Sequence, residues 1–252
     1  MEKDTKQIMF YFVFIFAFLV LLSIAIPNKE RFLPDKEVAS SLEHVFFKSE
    51  QGTLVSLKVP AVNPEGEGVP VLLKVEAVEG TGRTLVEIHN LLFWADTQHS
   101  IRIAKLIAGN VSGKDLDRFD LIYSIEADAT AIGGPSAGAA IALATIFALN
   151  GEEPRDDVMI TGTINHDGTI GPVDSILEKA HAAREFDANT LLVPLLQSMD
   201  VDYEESEYCH EFGGKEVCTI EIVPREVDIT QETNVSVIEV KDIQEALEYF
   251  EK

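Results

Sequence analysis

Residues 137–149 read AGAAIALATIFAL, an uninterrupted stretch in which Thr145 is the single polar residue. A helix on a protein surface keeps a polar face, so a helix of this composition must be covered on nearly all sides. The dipeptide Asn150-Gly151 that follows is typical of a helix end, because glycine readily adopts the left-handed conformation found there. The sequence therefore predicts a helix that is buried on nearly all sides.

The segments around this helix alternate between strand-like and helix-like patterns. Glycine-containing turns at 80–82 and 166–168 predict two β-hairpins. Three further helices are predicted, from Asp96 to about Ala108, from Asp174 to Phe186 and from Asp242 to Phe250. Strands are predicted at 54–62, 69–78, 84–90, 121–127, 158–164, 169–173, 191–193 and 235–240. This mixture predicts a single α/β (α+β) domain with a mixed sheet and β-hairpins.

A second apolar stretch, Ile8–Ile26, contains 19 residues and no charge. A helix needs about 20 such residues to cross a bilayer. A signal peptide cleaved after Ala25 is the other interpretation, but its apolar core is usually only about 7–15 residues long. We therefore predict a retained transmembrane helix over 8–26, after an N-terminal tail at 1–7 and before a polar tether at 27–53. The folded domain then occupies 54–252.

The orientation of this anchor is not fixed by its flanking charges, because two lysines precede it and two lysines and an arginine follow it. Cys209 and Cys218 form an even pair that suits a disulfide across a short loop, although two free thiols are the alternative. Asn110 and Asn234 lie in glycosylation sequons. These features favour a domain on the extracytoplasmic side of the membrane.

The balance of charges excludes some classes of function. The chain has 20 Lys and Arg residues against 43 Asp and Glu, a net charge of −23. Sequence-independent binding to nucleic acid requires a basic face, so nucleic-acid partners are not expected. Two cysteines are too few for a disulfide scaffold or a four-cysteine zinc site, and we predict no metal site. Residues 202–232 are acidic, contain both cysteines and are predicted to be an insertion.

The segment before this buried helix has the features of a nucleophile site. Ser136 lies in Gly134-Pro135-Ser136-Ala137-Gly138, directly after Gly133. Backbone N–H groups at a helix N-terminus stabilise developing negative charge, and glycines let a substrate carbonyl approach closely. The backbone of Gly133, Gly134, Pro135 and Ala137 is thus a candidate oxyanion and substrate site. An ordinary helix cap with proline at the first position has the same pattern.

The same pentapeptide fits the G-x-S-x-G elbow of α/β-hydrolases. That interpretation requires an acid and a histidine after the serine, and Asp174 with His181 or His210 are the candidates. It predicts a Ser-His-Asp hydrolase.

Lys179 is the alternative general base. On a helical wheel it falls inside an apolar arc formed by Ile176, Leu177, Ala180, Ala183 and Phe186. Burial disfavours the ammonium form and lowers the pKa of a lysine, and a neutral lysine can accept the proton of a serine. A lysine whose stem packs while its amine reaches solvent has the same pattern.

Several ordered segments extend the comparison beyond one motif. GGPSAGAA, TGTINHDGTIGPVDSILEKAHAA, LLVP and VIEVKDIQEALEYF resemble the proteolytic domain of the Lon family of serine peptidases, over roughly 54–200 and 235–250. The resemblance implies a Lon protease-domain-like fold and a catalytic dyad of Ser136 and Lys179, 43 residues apart. It also implies that Thr161 hydrogen-bonds the lysine, and that the chain self-associates into a ring.

Three departures qualify the resemblance. Many Lon proteases have an acidic residue where this chain has Gly133, the insertion at 202–232 is additional, and no G-x-x-x-x-G-K-[ST] nucleotide-binding motif occurs. We therefore expect a membrane-anchored serine endopeptidase that cleaves unfolded or extended polypeptides without ATP or any cofactor. A catalytically inactive scaffold with the Lon fold is a further alternative, which Gly133 favours.

Overall fold

The computed structural model describes residues 52–87, 95–127 and 134–252. The predicted anchor at 8–26 and nearly all of the predicted tether lie outside these ranges. Within them, none of the helices combines the length and the hydropathy needed to cross a bilayer.

The described ranges contain eleven strands and five α-helices. The strands are β1 (Thr53–Val62), β2 (Gly68–Glu79), β3 (Thr84–Val86), β4 (Phe119–Ala127), β5 (Val158–Ile160), β6 (Thr163–Ile164), β7 (Ile170–Gly171), β8 (Thr190–Pro194), β9 (Met199–Phe212), β10 (Lys215–Asp228) and β11 (Ser236–Val240). The helices are α1 (Ala95–Ser112), α2 (Gly138–Asn150), α3 (Ile176–Glu185), α4 (Ile229–Thr233) and α5 (Ile243–Phe250). The prediction of a mixed α/β domain, which the strand and helix patterns of the sequence supported, is confirmed.

Helix α2 is the buried helix that its composition predicts. Every residue from Gly138 to Leu149 is buried, and α1 packs on it together with β1 and β2. Its one buried polar side chain is satisfied: the Thr145 hydroxyl donates to the carbonyl of Ile141 (2.6 Å) and lies 3.2 Å from the Tyr123 hydroxyl. Gly151 ends the helix in the left-handed conformation, at φ +76°.

The first sheet has the strand order β1-β2-β4-β3. β1 and β2 form an antiparallel hairpin in which Val59 lies opposite Val71. β2 also pairs antiparallel with β4, and β3 pairs parallel with β4. The apolar residues of β1 and β2 that face α2 alternate with more exposed ones, which explains the strand pattern of the sequence.

The predicted hairpin around residues 80–82 is wrong, because β4 lies between β2 and β3. The cause is the buried carboxylate of Asp120 at the start of β4. It accepts the backbone N–H groups of Thr81 (2.8 Å) and Arg83 (2.9 Å) and pairs with the Arg83 guanidinium. These hydrogen bonds, the one from Arg83 foremost, hold the pKa of Asp120 well below its usual range. The turn is thereby fixed to β4, and β3 pairs on the far side of that strand.

The second sheet is parallel, in the order β11-β8-β5. The predicted strand at 158–164 divides between two sheets, since β5 joins this parallel sheet while β6 pairs antiparallel with β7. The turn at 166–168 joins β6 to β7 as predicted, and Asp167 accepts the backbone N–H and the hydroxyl of Thr169 there.

β6 and β7 form a third sheet, and β9 and β10 form a fourth, two-stranded and antiparallel, that contains most of the predicted insertion. The turn between them is Gly213-Gly214, both at positive φ as a two-residue hairpin turn requires. Cys209 lies opposite Cys218, and the two are joined by a disulfide.

Candidate active site

Ser136 lies in a single 3-10 turn, Pro135–Ala137, that leads directly into α2. Gly134 precedes this turn at φ +106°, a conformation that residues with a side chain rarely adopt. Pro135 follows at a position where its missing N–H breaks no hydrogen bond of the helix. The local sequence therefore places a half-buried serine at the start of a buried helix.

The serine turn is fixed by the segment Thr161-Gly162. The Gly162 N–H donates to the carbonyl of Ser136 (2.9 Å), and the Ala139 N–H donates to the carbonyl of Gly162 (3.0 Å). The Thr161 hydroxyl also donates to the Ser136 carbonyl, at 3.4 Å. The resemblance implied that Thr161 hydrogen-bonds Lys179, whereas here its hydroxyl bonds the backbone of the serine.

Lys179 is on α3 and is only 4% exposed. Its Nζ donates to the carbonyl of Asp174 at 2.7 Å. Burial away from water lowers the pKa of Lys179 to about 8, against the opposing influence of the Asp174 and Glu178 carboxylates. With this pKa, roughly a tenth of the amine is neutral at about pH 7, a far larger fraction than for an ordinary lysine.

The burial of Lys179 depends on the close approach of α3 to the first sheet. A Cβ at Gly68, the first residue of β2, would lie 1.8 Å from the carbonyl oxygen of Glu178, so glycine is required there. At the other end of α3, the Lys58 amine of β1 donates to the carbonyl of Phe186 (3.0 Å), where a cation suits the helix C-terminus.

Ser136 and Lys179 line the same cavity, which has a volume of about 300 Å³. One wall is the backbone of Gly134–Ala137, and another is the segment 172–175 before α3. The remaining walls are mostly apolar side chains of the first sheet, namely Val59, Pro60, Ala61, Val62, Val71, Leu73 and Ile125. The arrangement offers a hydroxyl and a partly neutral amine to a ligand with apolar groups.

The two histidines that the hydrolase interpretation requires do not reach this cavity. His181 is an exposed residue on α3, and His210 is an exposed residue of β9. Of the candidates for that triad, Asp174 alone lines the cavity. The described residues therefore form no Ser-His-Asp arrangement with Ser136.

Gln197 is a residue of the site that the sequence patterns did not reveal. Its side-chain amide accepts the N–H of Val173 (3.0 Å) and donates to the carbonyl of the same residue (2.6 Å). The next residue, Ser198, is held by the Glu239 carboxylate of β11. Gln197 thus fixes the cavity wall from which α3 starts, and a lone glutamine in a loop gives no pattern by which to predict this.

Three predicted site residues remain, namely Gly133, Cys209 and Cys218. Gly133 is outside the described residues. Cys209 and Cys218 are on the β9–β10 sheet with the Glu207 carboxylate nearby. Because both sulfur atoms are in the disulfide, this group offers a single carboxylate and lacks the thiolates that bind metals.

The part of the chain that contains the cavity residues Ser136 and Lys179 is similar to a known protein family. The family described as the Lon protease (S16) C-terminal proteolytic domain matches residues 98–224, half of the chain. The chain belongs to this family. The matched range contains Ser136, Thr161 and Lys179, while the strands β1 and β2 that complete the cavity of this Lon proteolytic domain precede it.

Individual relatives agree with this assignment. Lon protease 2 of Syntrophobacter fumaroxidans is 37% identical over 91 residues, which are 36% of this chain and 12% of that protein. Lon protease of Paraburkholderia phytofirmans is 30% identical over 182 residues, 69% of this chain and 22% of that protein. Archaeal Lon protease of Thermococcus kodakarensis is 27% identical over 179 residues, 68% of this chain and 27% of that protein. The match thus spans about a quarter or less of each relative.

Proposed function

We propose that this chain is a serine endopeptidase in which Ser136 is the nucleophile and Lys179 the general base. The observation that carries the proposal is that both residues line one cavity, where burial lowers the pKa of Lys179 to about 8. A serine hydroxyl is a weak nucleophile until a neighbouring base removes its proton. A lysine that is partly neutral near pH 7 supplies such a base. None of the described residues that line the cavity is a histidine, which could have served as the base instead.

The proposed reaction proceeds in two balanced halves. The Ser136 Oγ forms a bond to the scissile carbonyl carbon while its proton moves to the neutral Lys179 Nζ. The ammonium then gives that proton to the departing amine as the peptide C–N bond breaks, which leaves an ester on Ser136. A water molecule attacks the ester, Lys179 takes the proton of the water, and this proton returns to Ser136 as the acid product leaves.

Backbone groups around Ser136 are suited to bind the oxyanion of this reaction. The turn at Gly134–Ala137 precedes a helix, so its free N–H groups point to a region where negative charge is stabilised. Pro135 has no N–H, and the donors must come from its neighbours. We propose that Thr161 and Gly162 hold this turn in place through the Ser136 carbonyl, so Thr161 positions the nucleophile and not the base.

The wider features of the predicted enzyme remain part of the proposal. The cavity has largely apolar walls and opens to solvent, so an extended substrate segment can enter it. Both features support unfolded or extended polypeptides as substrates. The uncharged stretch at 8–26 supports a membrane anchor, and the disulfide supports an extracytoplasmic domain. Cleavage without ATP is supported by the sequence, in which no G-x-x-x-x-G-K-[ST] motif occurs. Assembly into a ring rests on the family alone.

The test is cleavage of an unfolded protein by the full chain in detergent, with and without ATP. We expect cleavage that ATP does not change, and a loss of at least about 10³-fold in kcat/KM for both Ser136→Ala and Lys179→Met. His181→Ala is the matched control, because this residue is an exposed neighbour of Lys179 on α3, and it should retain activity. A Lys179→Met chain that cleaves at the wild-type rate would refute the dyad. A wild-type chain that cleaves nothing would favour the inactive scaffold.

The pH dependence gives an independent test of the base. Neutral Lys179 is the reactive form, so kcat/KM should rise as pH increases and level off above the lysine pKa of about 8. A profile that is flat from about pH 6 to about pH 9, measured on a peptide without ionisable groups, would contradict a lysine base.

A further inference from the structure

The sheet of β9 and β10, here called the arm, is exposed along most of its length, and α4 packs on β10 near its end, where Val227 is buried. Its strands of 14 residues pair only with each other. At about 3.3 Å per residue the arm is roughly 45 Å long. A two-stranded hairpin is at best marginally stable by itself in water, and no third strand of the described residues pairs with the outer edge of either strand. Such edges can accept a further extended segment by β-strand addition.

The register separates the arm into two faces. Residues directly opposite each other share a face and alternate residues along a strand do too, so the disulfide lies on the same face as Val201, Tyr203, Glu205, Glu207, Ile220, Ile222 and Pro224. We call this the disulfide face. Its apolar side chains are well exposed, with Tyr203 67%, Ile220 63% and Ile222 70% accessible. Ile220, Ile222 and Pro224 follow one another along one strand of this face, and exposed apolar residues grouped in this way mark an interaction surface.

The charge of the arm restricts what can bind there. Residues 199–228 contain ten acidic and two basic residues, and on the disulfide face Glu205 lies opposite Ile222 and Glu207 opposite Ile220. A second copy of the chain would bring the same acidic face and a net charge of −23. Anionic lipid headgroups would be repelled in the same way. An apolar surface beside glutamates is complementary to a chain with apolar and basic side chains.

The arm is also connected to the cavity that contains Ser136 and Lys179. β9 begins two residues after Gln197, whose amide holds Val173 in the cavity wall. A segment bound along the arm near its base therefore lies beside that wall and not at a distant part of the domain.

We propose that the disulfide face binds unfolded polypeptide segments that, when extended, present apolar and basic side chains on the same side of the chain, and that it thereby selects basic substrates for the cavity. The inference rests on the proposed peptidase function. The apolar row removes nonpolar side chains from water, the glutamates pair with lysines and arginines, and the open strand edges bind the backbone.

The experiment measures binding separately from cleavage. The full-length Ser136→Ala chain is titrated against a fluorescent peptide of repeating Val-Ser-Lys-Ser, about 14 residues long to match one arm strand. In an extended conformation its valine and lysine side chains lie on the same face. Fluorescence anisotropy gives the Kd at physiological salt. The comparison peptide has glutamate in place of each lysine. We expect the basic peptide to bind at least about tenfold more tightly than the acidic one.

Two arm variants and a matched control locate the binding. Ile220→Thr with Ile222→Thr, which keeps β-branched residues in the strand, should raise the Kd at least about tenfold. Glu205→Gln with Glu207→Gln should raise it about fivefold and reduce its salt dependence. Glu204→Gln with Glu221→Gln removes the same charge from the opposite face and should change the Kd less than about twofold. Circular dichroism and retention of the disulfide show that each arm is folded.

The proposal is overturned if both peptides bind equally, or if the isoleucine variant binds the basic peptide as the parent does. It is also overturned if that variant changes only the subunit number in sedimentation, since the face is then an interface between copies. Cleavage of a short uncharged peptide by the chain with intact Ser136 reports on the peptidase function alone. The failure of either proposal is therefore distinguishable from the failure of the other.

Discussion

Replacing Lys179 by methionine tests the central electrostatic feature of this domain through stability and not through activity. Methionine retains the length of the apolar stem and removes the amine. Burial lowers the pKa of Lys179 from 10.5 to about 8, because α3 and the first sheet exclude water from the amine. The folded chain therefore disfavours the charged lysine relative to the unfolded chain.

The sign and size of the effect follow from proton linkage. Between pH 8 and pH 10.5 the unfolded chain holds a proton on Lys179 that the folded chain has lost, so the free energy of unfolding rises with pH there. The cost of the charged lysine is complete below pH 8 and absent above pH 10.5. At about 1.4 kcal/mol per pH unit, the full cost is about 3 kcal/mol. Between about pH 6.5 and about pH 10, the advantage of the methionine variant should fall by about 2.5 kcal/mol.

The assay is urea unfolding followed by circular dichroism at both pH values, with Ser136→Ala present in all chains to prevent self-cleavage. The loss of the hydrogen bond to Asp174 and the different packing of methionine are the same at both pH values, so they cancel in the difference. Lys114→Met is the control, since it makes the same replacement at an exposed lysine that does not line the cavity.

One result would refute the reasoning. If the free energies of unfolding of Lys179→Met and of its parent differ by the same amount at both pH values, the lysine has an ordinary pKa in the folded chain. A base that is fully protonated near pH 7 is ineffective, and the proposed dyad would lose its physical basis.

Three further substitutions test the supports of the site. Gly134→Ala should cost about 1–3 kcal/mol of stability and reduce peptide cleavage sharply, because φ of +106° strains any residue with a side chain. Steric overlap is not the reason, since no atom of the described residues beyond the chain neighbours lies within 4 Å of the new methyl group. Urea unfolding and kcat measure the two effects, and an unchanged kcat would contradict a role of this backbone in catalysis. Gln197→Met should lower the free energy of unfolding by about 1–3 kcal/mol and lower kcat. Methionine keeps the length of the side chain but cannot make the two hydrogen bonds to the Val173 backbone. A variant with unaltered stability would show that the amide does not hold this wall of the cavity. Tyr123→Phe should lower the free energy of unfolding by about 1 kcal/mol, because it removes one buried hydrogen bond to Thr145, and it should leave the rate of cleavage unchanged. A lower kcat at the same folded fraction would show that the Tyr123 hydroxyl has more than a structural role.

Local patterns in the sequence predicted the parts of the site that depend on short-range geometry. The composition of 137–149 requires a buried helix in any fold, and the glycine and proline before Ser136 fix where that helix begins. The wheel position of Lys179 placed it on the apolar face of its helix but left open whether the amine is buried or reaches solvent, and the structure shows that it is buried.

Contacts between distant segments were not predictable in this way. The hydroxyl of Thr161 bonds the Ser136 carbonyl and not Lys179, although a resemblance assigned it to the lysine. β3 pairs beside β4 because a carboxylate 37 residues from Arg83 captures the turn. Gln197 reaches Val173 across 24 residues of sequence. None of these three contacts could be predicted from the residue pattern of a single helix or strand, because each joins segments that are far apart in the sequence.

The sequence by itself thus determined the buried helix, the position of the serine at its start, the lysine on an apolar face and the family to which the chain is similar. Periodicity and turn chemistry act over a few residues, so they survive in any fold that the chain adopts. Only the tertiary structure decided that Ser136 and Lys179 share one cavity, what its walls consist of and which groups hold them. Those outcomes depend on how separate elements pack, and packing is set by shape and hydrogen-bond partners across the whole chain.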